Sequence, residues 1–321
     1  MSPSSEQAPA PLFGPSGRPP VPDIVVPRGI LPFHLDQRPV RGRLVRLGAL
    51  AETLLGRHDY EPDSARLAGE AMALTAGLAA ALKFQGSFSL QAKGDGPVSM
   101  LLADCTHAGA IRGYAKVDLE ALRKLETPNA ADLLGSGYLA FTCDQGPDMD
   151  RYQGIVAIAG DDLTSMTNEY FRNSEQLDTF LKLSCGKTAE GWRASALLLE
   201  RVAGTGGLET TQDPEEQEEA WRTAVTLART LTDDELLDDG LSPERLLHRL
   251  FHAEGLQLGR PKPLSYGCRC SRDRLLGVLE GFSMDDLDHM AIDGTITMTC
   301  EFCNFDFQFE RNTLSQTKRE D

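Results

Sequence analysis

The sequence predicts an α+β protein that carries a small metal-binding module near its C-terminus, and three observations lead there. Between Ser87 and Ala159 apolar residues recur with a period of two, in segments separated by turn signals. Helical runs flank that strand-rich block, Ser64 to Phe84 before it and Asn168 to Leu183 after it. Further on, Cys268-Arg269-Cys270 and Cys300-Glu301-Phe302-Cys303 set four thiols in two close pairs. The expected architecture is a mainly antiparallel sheet packed with helices (29–204), an acidic helical linker (205–262) and a small four-cysteine zinc module (263–315).

In chain order, residues 1–28 read as a disordered extension. Met1 to Pro27 is rich in Pro and Ser, and it lacks the basic start and apolar block of a signal peptide. Gly42 to Val45 reads as the first strand and Leu50 to Leu55 as a short helix ending near Gly56. Ser64 to Phe84 is almost all Ala, Leu, Met and small residues, which predicts a largely buried helix with Gly69 and Gly77 allowing close packing. Phe88, Leu90 and Ala92 then alternate with polar residues. The strand signal repeats at Val98 to Leu102, Ile111 to Val117, Tyr138 to Thr142 and Tyr152 to Ile158.

Gly94-Asp95-Gly96-Pro97 reads as a hairpin turn, because no helix follows it as a phosphate loop would require. Cys185-Gly186-Lys187-Thr188 imitates the end of a nucleotide-binding loop, but Leu181 stands where that loop needs glycine. Trp192 to Val202 is expected to complete the sheet.

Composition shifts at Gly204-Thr205-Gly206-Gly207, and Glu209 to Glu219 is strongly acidic. Helix starts follow at Asp213-Pro214, Thr232 to Glu235 and Ser242-Pro243. Amphipathic faces with this acidic load predict marginal docking, and so either a plain connector or a segment that orders conditionally. Between the cysteine pairs, Ser271 caps one helix ending near Gly281, and Ser283 with Asp286 forms a capping box for a second. Asp293-Gly294 turns into the strand Thr295 to Met298, and Phe305, Phe307 and Phe309 alternate along another, with burial expected for that face. The chain after Leu314 reads as a polar, frayed end.

Composition limits the function classes. The 321 residues hold 48 acidic against 32 basic side chains, a net charge of −16, which repels phosphate backbones and weighs against nucleic-acid binding. No apolar stretch is long and charge-free enough to span a bilayer. Of seven cysteines, Cys105, Cys143 and Cys185 stand singly, a reducing-compartment pattern that places the protein in the cytoplasm.

Cys268, Cys270, Cys300 and Cys303 suit one tetrahedral Zn²⁺ with all four positions filled. So small a module has too little core to fold alone, and metal removal should unfold it. A permanent structural zinc is the commoner use of such a site. The second use is a redox sensor, with Arg269, Arg272 and Arg274 offsetting thiolate charge and keeping released sulfur nucleophilic. A zinc hydrolase or thiol oxidoreductase would need an open metal position or a nucleophile with its base. His289, the one histidine between the pairs, reads as a helix-surface residue.

The signature Cys268-Arg269-Cys270-Ser271-Arg272 with Cys300-Glu301-Phe302-Cys303 resembles the heat shock protein 33 family, the 33 kDa chaperonins. Further segments resemble it too: Leu82-Lys83-Phe84-x-Gly86, Gly94 to Pro97, Gly135-x-Gly137-Tyr138, Arg151 to Gly154 and Tyr170-Phe171-x-x-Ser174-Glu175-Gln176. The resemblance runs from about Leu31 to Leu314. It implies an ATP-independent holdase rather than an enzyme, inactive and monomeric when reduced and zinc-bound. Oxidation would pair Cys268 with Cys270 and Cys300 with Cys303, release zinc, unfold the linker and give a dimer that binds unfolding client proteins. Two departures stand out. Asn304 follows the last cysteine where glycine is usual, a position Asn tolerates in left-handed backbone, and a Pro-rich extension precedes Leu31.

Overall fold

The computed structural model describes residues 22–36, 38–81, 85–146, 149–202 and 213–317. They form two compact units, the larger spanning Asp23–Gly267 and the smaller beginning at Cys268.

The larger unit opens with strands β1 (Val25–Leu35) and β2 (Val40–Arg46), then helices α1 (Ala49–Leu55) and α2 (Pro62–Ala79). Strands β3 (Ser87–Gly94), β4 (Val98–Thr106) and β5 (Ala110–Val117) follow, with short helices α3 (Leu119–Leu122) and α4 (Ala130–Leu134). Next come β6 (Gly137–Asp144), β7 (Tyr152–Ala157), and α5 (Leu163–Tyr170) running into a π-turn at Phe171–Glu175. Strands β8 (Thr179–Thr188) and β9 (Gly191–Arg201), helices α6 (Pro214–Arg229), α7 (Asp233–Leu237) and α8 (Pro243–Phe251), and strands β10 (Leu256–Leu258) and β11 (Lys262–Tyr266) complete it.

These strands form one sheet in the order β7-β6-β3-β4-β5-β11-β1-β2-β9-β8, with β10 also on β1. Every pairing is antiparallel except β5 with β11, where Ala110 faces Ser265 and Ile111 faces Tyr266. Strand β11 is the late-arriving element that closes the sheet between β5 and β1.

Helix α2 lies across β4, β8 and β9 and buries most of its length, as its composition requires. A β-carbon at Gly69 would collide with the Cys185 sulfur, and one at Gly77 would sit 2.5 Å from Leu198. Both glycines therefore let helix and sheet approach closely.

The linker helices dock far more fully than their acidic composition suggests. Ala224, Ala228, Leu231, Leu236, Leu246, Leu247, Leu250 and Phe251 bury against Leu31, Phe33, Leu35, Leu44, Leu197 and Leu199 of β1, β2 and β9. Phe33 stacks on Phe251 with ring centroids 5.5 Å apart. The acidic residues occupy the outer faces, so composition averaged over the segment hid a continuous apolar stripe.

Other expectations need correction. Strand β1 begins at Val25, ahead of Gly42 and inside the stretch read as an extension. The helix expected to run to Leu183 ends in the π-turn, with Gln176 at φ 53°, and Thr179 to Leu183 belongs to β8. Pairing with β9, where Leu181 faces Leu198, outweighs local helical character there. Strand β9 is internal rather than last, since β8 takes the sheet edge. A helix over Arg311–Thr317 runs past Leu314, where a frayed end was expected. Leu82 to Phe84 and Gly204 to Gln212 lie outside the described residues.

Several family-like segments meet in space. Asp95 Oδ1 accepts from the Ser136 N–H at 2.6 Å, joining the Gly94 and Gly135 motifs. Tyr152 and Tyr170 both donate to Glu175, at 2.8 and 2.6 Å, joining the other two. These motifs hold the sheet's β6–β7 end together, and burial pushes the Tyr170 hydroxyl well above its ordinary range.

Candidate metal centre

The smaller unit holds α9 (Arg272–Leu279), α10 (Met284–Met290), the hairpin β12 (Thr295–Cys300) and β13 (Phe305–Glu310), and α11 (Arg311–Thr317). Its core is Leu279, Leu287, Ile296, Phe307, Phe309 and Leu314. Ser271 accepts from the Arg274 N–H to start α9, and the Ser283–Asp286 capping box starts α10, both as the sequence predicts. Asp293 and Gly294 take left-handed backbone at φ 49° and 77° and turn the chain into β12. Buried Arg311 donates to Asp288 at 2.8 Å and to the Met284 carbonyl at 3.1 Å, which ties α11 to α10.

Each cysteine sits where local structure fixes it. Cys270 immediately precedes the α9 cap, and Cys300 ends β12. The N–H groups of Cys303 and Asn304 both donate to the Cys300 carbonyl, at 3.2 and 2.7 Å. Asn304 takes φ 51°, the left-handed conformation expected at a position where glycine is usual.

The four sulfurs all lie within 4.8 Å of one another. Cys268 lies 3.5 Å from Cys270 and 3.7 Å from Cys300, and Cys270 lies 3.5 Å from Cys303. Four sulfurs about 2.3 Å from a tetrahedral zinc stand about 3.8 Å apart, so the cluster fits that ion closely. Three of the thiols are buried and Cys270 is half-buried.

Without a cation, sulfurs this close must divide protons among themselves. Hydrogen bonding with Cys270 draws Cys268 down to about 7. Hydrogen bonding with Cys268 drives Cys300 well below the thiol range and pushes Cys270 and Cys303 well above it. A bound divalent cation relieves that conflict by holding all four as thiolates.

Two of the nearby arginines make contacts away from the sulfurs. Arg272 donates to the Gln308 carbonyl at 2.6 Å and lies over the Phe309 ring at 4.4 Å, while Arg274 reaches the Arg269 carbonyl at 3.4 Å. His289 is exposed on α10 and its Nδ1 meets the Asp285 carbonyl at 2.7 Å. Phe307 and Phe309 are buried and Phe305 is half-buried, in keeping with core use of that face.

The remaining cysteines lie in the larger unit. Cys185 is buried on β8, in extended strand rather than a nucleotide loop, and burial pushes its thiol well above the ordinary range. Burial likewise raises half-buried Cys143.

One residue that positions the linker helices escaped the sequence. Buried Arg46 on β2 donates to the Glu235 carbonyl at 2.7 Å, to Asp238 at 2.8 Å and to Leu241, pinning α7 and the turn after it. An arginine on a strand gives no signal that its partners lie almost two hundred residues away.

Residues 29–310 match the family described as Hsp33 protein. The chain is 42% identical over 281 residues to a 33 kDa chaperonin of Caulobacter vibrioides, covering 85% of this chain and 91% of that one. It is 38% identical over 288 residues to a 33 kDa chaperonin of Pseudomonas syringae pv. syringae, covering 88% and 91%. A crystal structure of the 33 kDa chaperonin (heat shock protein 33 homolog) from Thermotoga maritima aligns with TM-score 0.75 at 20% identity, covering 92% of this chain and all of that one, which is a likeness of fold. Among the described residues no helix is long and apolar enough to cross a membrane.

Proposed function

This chain belongs to the Hsp33 family, and from that membership we propose that it is a redox-controlled, ATP-independent holdase of the cytoplasm. The observation that carries the reading is the convergence of Cys268, Cys270, Cys300 and Cys303 within 4.8 Å, in a unit whose own core is small.

In the resting state these four thiolates, at the start of α9 and around the β12–β13 turn, would hold one Zn²⁺, which would supply the charge that keeps all four deprotonated. An attacking peroxide takes an electron pair from one thiolate, leaving a sulfenic acid and releasing hydroxide. A neighbouring thiolate then attacks that sulfur, forms the disulfide and expels a second hydroxide, so each disulfide consumes one peroxide. The pairings Cys268–Cys270 and Cys300–Cys303 are those the family resemblance implies. Each disulfide removes two ligands, and a unit held mainly by its metal then melts.

The chain runs directly from β11 through Gly267 to Cys268, so melting frees the end of the strand that closes the sheet. Helices α6–α8 are the responding element. Their release uncovers Leu31, Phe33, Leu35 and Leu44 on the sheet and the matching leucines of α8, a surface suited to unfolded client proteins. The oxidised form pairs as a homodimer through part of that surface.

The test follows light scattering from a thermally unfolding client without ATP. Protein oxidised by peroxide at elevated temperature should suppress it, protein kept reduced with zinc should not, and reductant should reverse the protection. Equal protection by both forms would sink the redox reading while leaving a chaperone.

A further inference from the structure

Between α6 and the π-turn of the larger unit lies a cavity of 290 Å³, lined in part by Asn168, Arg172, Asp178, Phe180, Trp221 and Arg229. Among the described residues its polar groups are mostly donors without acceptors. Among the described residues neither the Arg172 nor the Arg229 guanidinium meets a carboxylate or carbonyl, and the Trp221 indole N–H has no acceptor. Asn168 Oδ1 accepts from Thr179 Oγ1 at 2.9 Å, which leaves its amide N–H₂ to donate. Asp178, the one carboxylate of the lining, lies 3.4 Å from Arg201 and is committed there.

This pattern is unlike the rest of that surface. Arg201 also pairs with Glu218 at 2.6 Å, and Arg222 on α6 reaches Glu218 and Glu219. On a chain of net charge −16, uncommitted cations gathered at one cavity make a local positive site. Paired guanidiniums recognise planar or tetrahedral oxyanions, and half-buried Phe180 and Trp221 offer a floor for a ring. Arg172 sits on a π-turn that closes with left-handed Gln176, a local irregularity of the kind found at functional sites.

We propose that this cavity binds a small oxyanion bearing an aromatic ring, a carboxylate or phosphate monoester, and that its occupation holds α6 against the sheet. Trp221 and Arg229 come from α6, whereas Asn168, Arg172 and Phe180 come from the core, so the ligand touches both only while α6 is docked. A ligand at a hundred times its Kd favours the docked form about 100-fold. The effect on α6 rests on α6–α8 being the releasable element; the binding site does not.

Full-length reduced protein would be titrated calorimetrically with phenyl phosphate, benzoate and inorganic phosphate. One-to-one saturable binding of phenyl phosphate or benzoate is expected, weakened about tenfold or more by Arg172→Gln and by Arg229→Gln. The melting temperatures of the ligand-free variants should match the parent, since both side chains are exposed. Phenyl phosphate should also slow amide exchange across 214–229. Absence of saturable binding, indifference to both substitutions, or equally tight binding of inorganic phosphate would overturn the site. Binding without slower exchange in α6 would overturn the coupling. No chaperone assay enters the test, so its failure is distinct from failure of the redox reading.

Discussion

Cys270 is the half-buried member of the sulfur cluster, whereas Cys268, Cys300 and Cys303 are buried. Reagent should therefore meet Cys270 first. Brief iodoacetamide treatment of zinc-loaded protein, mapped by mass spectrometry, should label Cys270 ahead of the other three, and uniform labelling would contradict this. Asn304 holds φ 51° beside the cluster, so Asn304→Gly should keep or slightly raise the thermal stability of the zinc-loaded unit, while Asn304→Val should lower it by about 1–2 kcal/mol. Glu70 on α2 supplies a pH dependence away from the metal. Burial pushes its carboxyl from 4.5 up to about 7, with Asp162 and Asp233 adding to the rise against Arg66's opposing pull. Because the folded value is raised, its contribution is fully present below about pH 4.5 and is lost as pH rises through about 7. Glu70→Gln should thus stabilise the protein by on the order of 2 kcal/mol at pH 8 and hardly at all at pH 4.5, read by urea unfolding.

Among the elements, α7 and the turn after it depend on Arg46, whose guanidinium serves three of their carbonyls from within β2. Arg46→Ala strands those acceptors and should weaken linker docking by about 2–4 kcal/mol, read as faster amide exchange in α7 and α8. Unchanged amide exchange in α7 and α8 of that variant would show that apolar contact alone holds them. Helix α2 is set by close approach to the sheet, and Gly69→Ala must displace the Cys185 sulfur. The helix starts at Pro214, Asp233 and Pro243 were legible because caps and N-terminal prolines are local chemistry. How firmly those helices dock was not legible, since the apolar face they cover is assembled from β1, β2 and β9, far away in sequence.

Across the whole molecule the same division holds. The α+β class, the strands from Ser87 to Ala157 and the four cysteines of the cluster could be read from period and spacing, which are properties of short windows. Strand β11 could not, because Lys262–Tyr266 carries little signal of its own and becomes a strand by filling the gap between β5 and β1. Strand β11 joins the linker to the cysteines, and by the proposed switch events at the cysteines reach the linker through it. Hydrogen exchange, recorded with zinc release on protein before and after peroxide at elevated temperature, tests that claim directly. Zinc loss accompanied by lost protection in α6–α8 and β11, with β3, β4 and β6 still protected, is the predicted result. Zinc loss with α6–α8 as protected as before would contradict it and leave the four cysteines a structural site that happens to be oxidisable.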